Sequence, residues 1–365
     1  ARIHSTAIVD SAAELAASLR EVASGGRQAV YEGGPLGKAI LATAERHGWP
    51  LSQRDLADQR AEWVEPISID YRGYTIYELP PPNQGMAVLM TLKAVEGFDL
   101  RRLGTGNPEA THLQVEAKKA AFQVRNRHCA DPAFYQAPMA EFLSEAYATK
   151  LRSGINPGHA TGVVAVSATG ASKNDGDTIY LCTADGQGNC VSLIQSNYAA
   201  WGSGVMAGDA GFFLHSRGAG FVLDPGHPNR YEPHRRPFHT LIPAMAYKDG
   251  RPWLIFGTRG ADAQPQTQVQ LVCNMVDFDM NVQEALDAPR WRTAGTYHHP
   301  TPDHLLLESR FAHDALPRLK SLGHEVHWST PADDGMGHAS AIEVGADGLL
   351  QAGYDPRSDG AALGW

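Results

Sequence analysis

The sequence predicts an α+β protein of layered sheets and helices, and three observations in its 365 residues carry that prediction. Helical periodicity dominates the first half, and strand-and-turn patterns dominate the second. A stretch rich in Gly, Ser, Thr, Ala and Asn joins the two. With 43% hydrophobic residues the chain can bury a large core, as one domain or as two closely packed halves.

Taken in order, residues 11–25 are helical in period and stop at a glycine. Ser52-Gln53-Arg54-Asp55 can cap a short helix, because Ser accepts from an orphan N–H and the acid three residues on answers the cap's own N–H. The Tyr- and Ile-rich run 67–79 turns at Arg72-Gly73, a hairpin pattern. Pro80-Pro81-Pro82-Asn83-Gln84-Gly85 breaks the chain before an apolar helix from Met86 onward. Helices follow at about 108–127 and 139–152. Gly154, Gly158, Gly162, Gly170 and Gly176 then mark 153–177 as a flexible connector. Strands at 178–184 and 190–197 flank Asp185-Gly186-Gln187-Gly188-Asn189, a strong hairpin signal. Later strands at 242–247 and 253–257 alternate with helices at 266–276 and 312–322. No internal repeat is visible.

Composition excludes several functions. The net charge of −9, from 31 basic and 40 acidic residues without a long run of either sign, argues against sequence-independent nucleic-acid binding. No apolar run approaches the roughly 20 residues of a membrane-spanning helix. No apolar stretch of signal-peptide type follows Ala1-Arg2-Ile3-His4-Ser5, so the cytoplasm is favoured over the periplasm. Cys129, Cys182, Cys190 and Cys273 lack CxxC spacing and read as small buried thiols, not as a zinc site or disulfide framework. The histidines are scattered, and the adjacent pair His298-His299 sits in a Pro/Thr-flanked loop. No metal site and no cofactor are expected.

Thr178 opens a strand where the connector ends, a place where a peptide bond can be exposed and strained. Asp175-Gly176-Asp177 ahead of it leave the backbone accessible. By itself Thr178 is an ordinary strand threonine with a solvated hydroxyl. Its surroundings add more. Gly176-Asp177-Thr178-Ile179-Tyr180-Leu181-Cys182-Thr183-Ala184-Asp185, then Gly188-Asn189-Cys190-Val191-Ser192, resembles the start of the small subunit in γ-glutamyltransferase-like proteins. Those proteins cut themselves before the threonine. Agreement continues at Gly202-Ser203-Gly204, Arg236-Pro237, Gly257-Thr258-Arg259-Gly260-Ala261, Asn281-Val282-Gln283-Glu284-Ala285, Ala288-Pro289-Arg290 and Asp355-Pro356-Arg357-Ser358-Asp359-Gly360. Upstream, Tyr31-Glu32-Gly33, Tyr71-Arg72-Gly73-Tyr74 and Pro80-Pro81-Pro82 also fit, so the resemblance covers nearly the whole chain.

The resemblance implies an αββα four-layer sandwich of the N-terminal-nucleophile hydrolase type, with Thr178 at the edge of a central sheet. Residues 1–177 would be the C-terminal part of a large subunit and 178–365 the small subunit, intertwined in one fold. Cleavage of Asp177–Thr178 would free an α-amine of unperturbed pKa about 8. That amine would serve as base for the Thr178 hydroxyl, which then forms an acyl-enzyme. The family's oxyanion donors, backbone N–H groups of a paired glycine turn, match Gly260 and Ala261; losing one such donor costs about 3–4 kcal/mol. Ser196, Asn197, Tyr198, Arg217, His239, Thr240 and Arg259 are the substrate-binding candidates.

Departures from the family pattern bear on substrate. The acid that holds the donor's α-amine in glutamyl-transferring members falls at Gly220, and a neighbouring amide position falls at Arg217. His239-Thr240 replaces a paired serine element after Arg236-Pro237, and 224–236 is shorter than the lid-bearing segment. Arg217 and Arg259 offer guanidinium groups suited to a carboxylate, although each equally fits a surface ion pair. Members also carry a longer segment before the position matching Ala1, with an arginine that grips the donor carboxylate. The expected activity is an autoprocessed amidohydrolase acting on a small amide with an anionic acyl group. Oxamate amidohydrolase-like and cephalosporin acylase-like members are nearer than glutathione-handling ones. The cleaved subunits are expected to stay associated, and the processed unit to form a homodimer. The alternatives are a true γ-glutamyltransferase with a rearranged donor site and a processed but silent binding protein; intact Thr178, Asn197 and Gly260-Ala261 count against the latter.

Overall fold

A computed structural model describes residues 5–162, 176–293 and 304–365. Most of the predicted connector (163–175) and the His298-His299 pair lie outside the described residues. The chain divides into two compact units, one of residues 1–63 with 197–216 and one of 64–196 with 217–365. The predicted boundary at Thr178 falls inside the second.

The first unit holds α1 (Ser5–Gly25), α2 (Arg27–Tyr31), α3 (Pro35–Arg46) and α4 (Gln53–Asp58). α3 starts on Pro35, where a missing N–H costs nothing. α4 carries the predicted capping box: the Ser52 side chain accepts from Asp55 N, and the Ser52 N–H donates to Asp55 Oδ2 at 2.7 Å. Ala29, Leu36 and Ile40 share a small core with Ala207 and Ala210. Ser18 Oγ donates to Ala210 O at 2.6 Å, which ties α1 to that core.

The second unit is built on strands β1 (Ile67–Tyr71) and β2 (Tyr74–Glu78), then helices α5 (Gly85–Val95), α6 (Leu100–Leu103), α7 (Pro108–His128), α8 (Met139–Phe142) and α9 (Glu145–Ser153). β3 (Gly176–Ala184), β4 (Cys190–Ala199), β5 (Ala244–Lys248) and β6 (Arg251–Arg259) follow, then α10 (Ala263–Val276), α11 (Val282–Asp287), β7 (Trp291–Thr293), β8 (Leu305–Glu308), α12 (Ala315–Ser321), β9 (Val326–Ser329), β10 (His338–Val344) and β11 (Leu350–Tyr354). The last residues of β4 belong to the first unit. The predicted helix at 139–152 is two helices, because Ser144 caps the second by accepting from Tyr147 N at 3.2 Å.

The main sheet is antiparallel, in the order β1-β2-β5-β6-β10-β11. Ile76 lies opposite both Ile69 and Ala246, and Phe256 lies opposite Ala244 and Ala341. Side chains alternate along β6. Leu254 and Phe256 enter the core formed with α5 and α10, whereas Gly257 faces the β3–β4 hairpin. α5 is apolar all round and buries every residue but Lys93, as a helix inside a core must. Helix, sheet, sheet is therefore the layer order around β6, three layers of the expected sandwich. A smaller sheet, β7-β8-β9, packs with α12 and with Val115 of α7.

Cys129 and Cys273 are buried free thiols, and Cys182 and Cys190 are half-buried ones. No helix among the described residues is long and apolar enough to cross a membrane.

Candidate active site

Thr178 sits in β3 directly after Asp177, only 6% exposed, with Oγ1 donating to Ser196 Oγ on β4 at 2.9 Å. Tyr180, two residues on and so on the same face of β3, anchors this strand to β6. Its ring lies so close over Gly257 that a Cβ there would come within 2.2 Å of Cε2. Glycine at 257 is thus required by a contact, not by a turn. The Tyr180 hydroxyl hydrogen-bonds Ser192 Oγ at 2.8 Å, and Ser192 Oγ donates to Phe256 O at 3.3 Å. Burial pushes the Tyr180 phenol far above its ordinary range.

β6 ends at Arg259, and the chain then turns through Gly260 (φ 128°) and Ala261 (φ 49°) into α10. Their carbonyls serve the helix: Ala263 N donates to Gly260 O at 2.7 Å and Gln264 N to Ala261 O at 3.2 Å. The N–H groups of Gly260 and Ala261 take no backbone acceptor among the described residues. Two such donors beside a helix N-terminus favour developing negative charge. A non-glycine residue in the left-handed region costs roughly 1–2 kcal/mol, so Ala261 needs support.

Gln84 supplies it. Its Nε2 donates to Ala261 O at 3.0 Å and to Thr240 O at 2.9 Å. Its Oε1 accepts from Arg125 Nη1 at 2.6 Å, and the same nitrogen donates to Asp262 Oδ1 at 2.6 Å. Gln84, Arg125 and Asp262 are all buried. No role for these three residues is legible in the sequence. The break at 80–85 pointed to Gln84, but only as turn chemistry.

Three predicted substrate residues come together here. Arg217 is buried and donates from Nη1 to Thr240 Oγ1 at 3.1 Å. His239 N–H donates to Pro82 O at 3.1 Å, and its imidazole is pushed down to about 4 by burial and by the Arg217 and Arg236 charges, which keeps it neutral. At Gly220 a Cβ would come 2.4 Å from Phe238 O, so an acidic side chain has no room there. Arg259 belongs to a different cluster. Its guanidinium pairs with Asp334 and donates from Nε to His338 Nδ1 at 2.8 Å, the ion-pair arrangement. Asn197 and Tyr198 continue β4 into the first unit, where Asn197 O accepts from Ser216 N at 3.0 Å and Tyr198 has φ 76°. Burial pushes Cys129 up to about 12 and Cys182 up to about 11, so neither thiol competes as a nucleophile.

The family described as Gamma-glutamyltranspeptidase matches residues 4–365. The chain is 41% identical over 351 residues to the glutathione hydrolase-like YwrD proenzyme of Bacillus subtilis (strain 168), with 96% of this chain and 65% of that protein covered. It is 36% identical over 352 residues to the oxamate amidohydrolase proenzyme of Klebsiella pneumoniae, with the same 96% and 65% coverage. It thus spans just under two thirds of the length of these relatives. Among solved structures, the cephalosporin acylase from Bacillus halodurans superposes with a TM-score of 0.86 at 36% identity, covering 96% of this chain and 62% of that one. The fold is accordingly α+β, of the N-terminal-nucleophile hydrolase type.

Proposed function

Since the chain belongs to the gamma-glutamyltranspeptidase family, we propose that it forms part of an autoprocessed amidohydrolase that cleaves a small amide with an anionic acyl group. Breaking Asp177–Thr178 frees the Thr178 amine. That amine takes the hydroxyl proton as Oγ1 attacks the amide carbonyl. The N–H groups of Gly260 and Ala261 receive the oxyanion, the C–N bond breaks, and the leaving amine departs with the proton. Water then attacks the Thr178 ester and releases the acid. Ser196, within 2.9 Å of Oγ1, orients the nucleophile.

One observation carries the substrate class. Phe238 O closes the space at Gly220 where an acid would hold a glutamyl α-amine, while Arg217 brings a buried cation to Thr240. A guanidinium in that setting favours a carboxylate. The shortened segment 224–236 favours water over amine acceptors, because a lid is what excludes water. The fragments are expected to stay together, since β2 before the cleaved bond pairs with β5 after it.

Intact-mass measurement tests processing: two fragments with Thr178 at the new amino terminus are expected. Turnover of oxamate and similar small anionic amides is then compared with that of a γ-glutamyl anilide. Faster anilide turnover replaces this reading with the glutamyl-transfer one.

A further inference from the structure

The sequence holds neither HExxH nor CxxC spacing, yet the second unit gathers three buried metal-ligating side chains. His112 and Glu116 stand one turn apart on α7 and so project from one face. His324 follows Gly323, which takes φ 92° just after α12. One ligand atom from each of the three lies within 4.8 Å of the others. We propose that His112, Glu116 and His324 form a divalent-cation site whose donor set suits zinc.

Hydrogen bonding orients the ligands. His112 Nε2 lies 2.8 Å from Asn156 O; a carbonyl only accepts, so the proton is on Nε2. The lone pair of Nδ1 then points at His324 Nε2, 2.7 Å away. A ring nitrogen donating to a backbone carbonyl while the other faces the ion is how ligating histidines are held. Glu116 accepts from Thr161 N at 2.8 Å, from Thr161 Oγ1 at 2.5 Å and from Lys119 Nζ at 2.9 Å, so it is an ionised, aimed carboxylate. Two imidazoles and one carboxylate are a zinc set, with a fourth position left for water.

The ion makes a modest demand on this geometry. Tetrahedral Zn–N bonds of about 2.0–2.1 Å place two nitrogens about 3.4 Å apart, so the rings must part by roughly 0.7 Å. Lys119 must also yield the carboxylate, and Thr161 O at 3.2 Å already offers it another acceptor. In the structure an N–H···N bond from His324 holds the two rings together.

The site clasps the segment 155–162, the last one described before β3 and Thr178. Asn156 O and Thr161 hold the ligands, and Ala160 N donates to Leu322 O at 2.6 Å beside His324. The ion would therefore be structural, pinning the stem that leads toward the nucleophile strand.

The test uses the full chain, stripped with chelator and titrated with Zn2+. Bound metal is counted by mass spectrometry and melting is followed in parallel; Co2+ serves as a spectroscopic probe. One equivalent per chain, a higher melting temperature with metal and a tetrahedral Co2+ spectrum are expected. His324→Gln and Glu116→Gln should each weaken binding by about tenfold or more; His324→Gln should keep the melting temperature without metal near wild type, whereas Glu116→Gln should lower it, because Lys119 loses its buried partner. Substoichiometric metal in the wild type overturns the proposal. So does equal affinity in either variant, which would place the ion elsewhere.

Discussion

Around Arg290, Glu308, Asp355 and Arg357, each charge is answered by its opposite. Arg357 lies 2.6 Å from Glu308 and 2.9 Å from Asp355, Arg290 lies 2.5 Å from Asp355, and no side chain of the four is more than 3% exposed. Around Thr178 and Thr240 two hydrogen bonds end on hydroxyls: Thr178 donates to Ser196, and Arg217 donates to Thr240. Neither carboxyl oxygen of Glu78, at the end of β2, has a hydrogen-bond partner among the described residues. The first region is compensated and closes the fold; the second ends on hydroxyls and on the buried Glu78 carboxyl. Family motifs fall in both. Ala288-Pro289-Arg290 and Asp355-Pro356-Arg357 serve the closure, whereas Gly257 to Ala261 serve the proposed chemistry.

The largest effect should come from Thr178→Ala. The chain should stay uncut and lose activity by at least about a thousandfold, while its urea midpoint remains near wild type. Intact mass and denaturation check this, and two fragments cut at the same bond would break the assignment.

Arg357→Ala attacks the other region. It leaves Glu308 and Asp355 short of a cation and should cost about 3–5 kcal/mol in urea unfolding. Acid should act on the wild type in the same sense. Burial pushes the Glu308 and Asp355 carboxyls up, but the arginine charges and hydrogen bonds hold both below their ordinary range. Their contribution is therefore full above the unfolded carboxylate range, near pH 4, and is lost as pH falls through the lower folded values. Melting temperature against pH, compared between wild type and Arg357→Ala, should show a flatter acid limb in the variant.

Arg217→Ala should lower kcat/KM for anionic amides by roughly ten- to a hundredfold. Neutral analogues of the same size should hardly change, and cleavage before Thr178 should proceed. Equal losses for both substrate types would make Arg217 structural and join it to the closing network. Gln84→Ala should cost about tenfold in kcat with little change in KM, because the released Ala261 turn acts on the transition state more than on substrate binding. A KM effect alone would move Gln84 from positioning the turn to shaping the pocket.

The smallest effect, opposite in sign, is expected at Glu78. Burial pushes its carboxyl well above the ordinary range, so the folded protein keeps the proton that the unfolded chain releases. Stability from this group is full below about pH 4 and declines as pH rises. Glu78→Gln should therefore raise stability at neutral pH by on the order of 1 kcal/mol, the gain vanishing toward pH 4. A loss at neutral pH would show that the carboxylate is charged and paired.

Local chemistry was legible in the sequence because its signals span only a few residues. Ser52 and Asp55 form the expected capping box, and Arg72-Gly73 makes the expected turn, with φ 53° and 86°. The 185–189 loop joins the expected strands, and alternation along β6 set which residues face the helices. Ser144 splitting 139–152 was also a local signal, masked by good helix formers on both sides. Tertiary structure alone decided the rest. Gln84 meets Ala261 across 177 positions, Arg125 meets Asp262 across 137, and His112 meets His324 across 212. Periodicity says which face of an element is buried, but not which element is laid against it. A buried glutamine or arginine reads in sequence as an exception to the apolar pattern until the fold supplies the carbonyl or carboxylate that it serves.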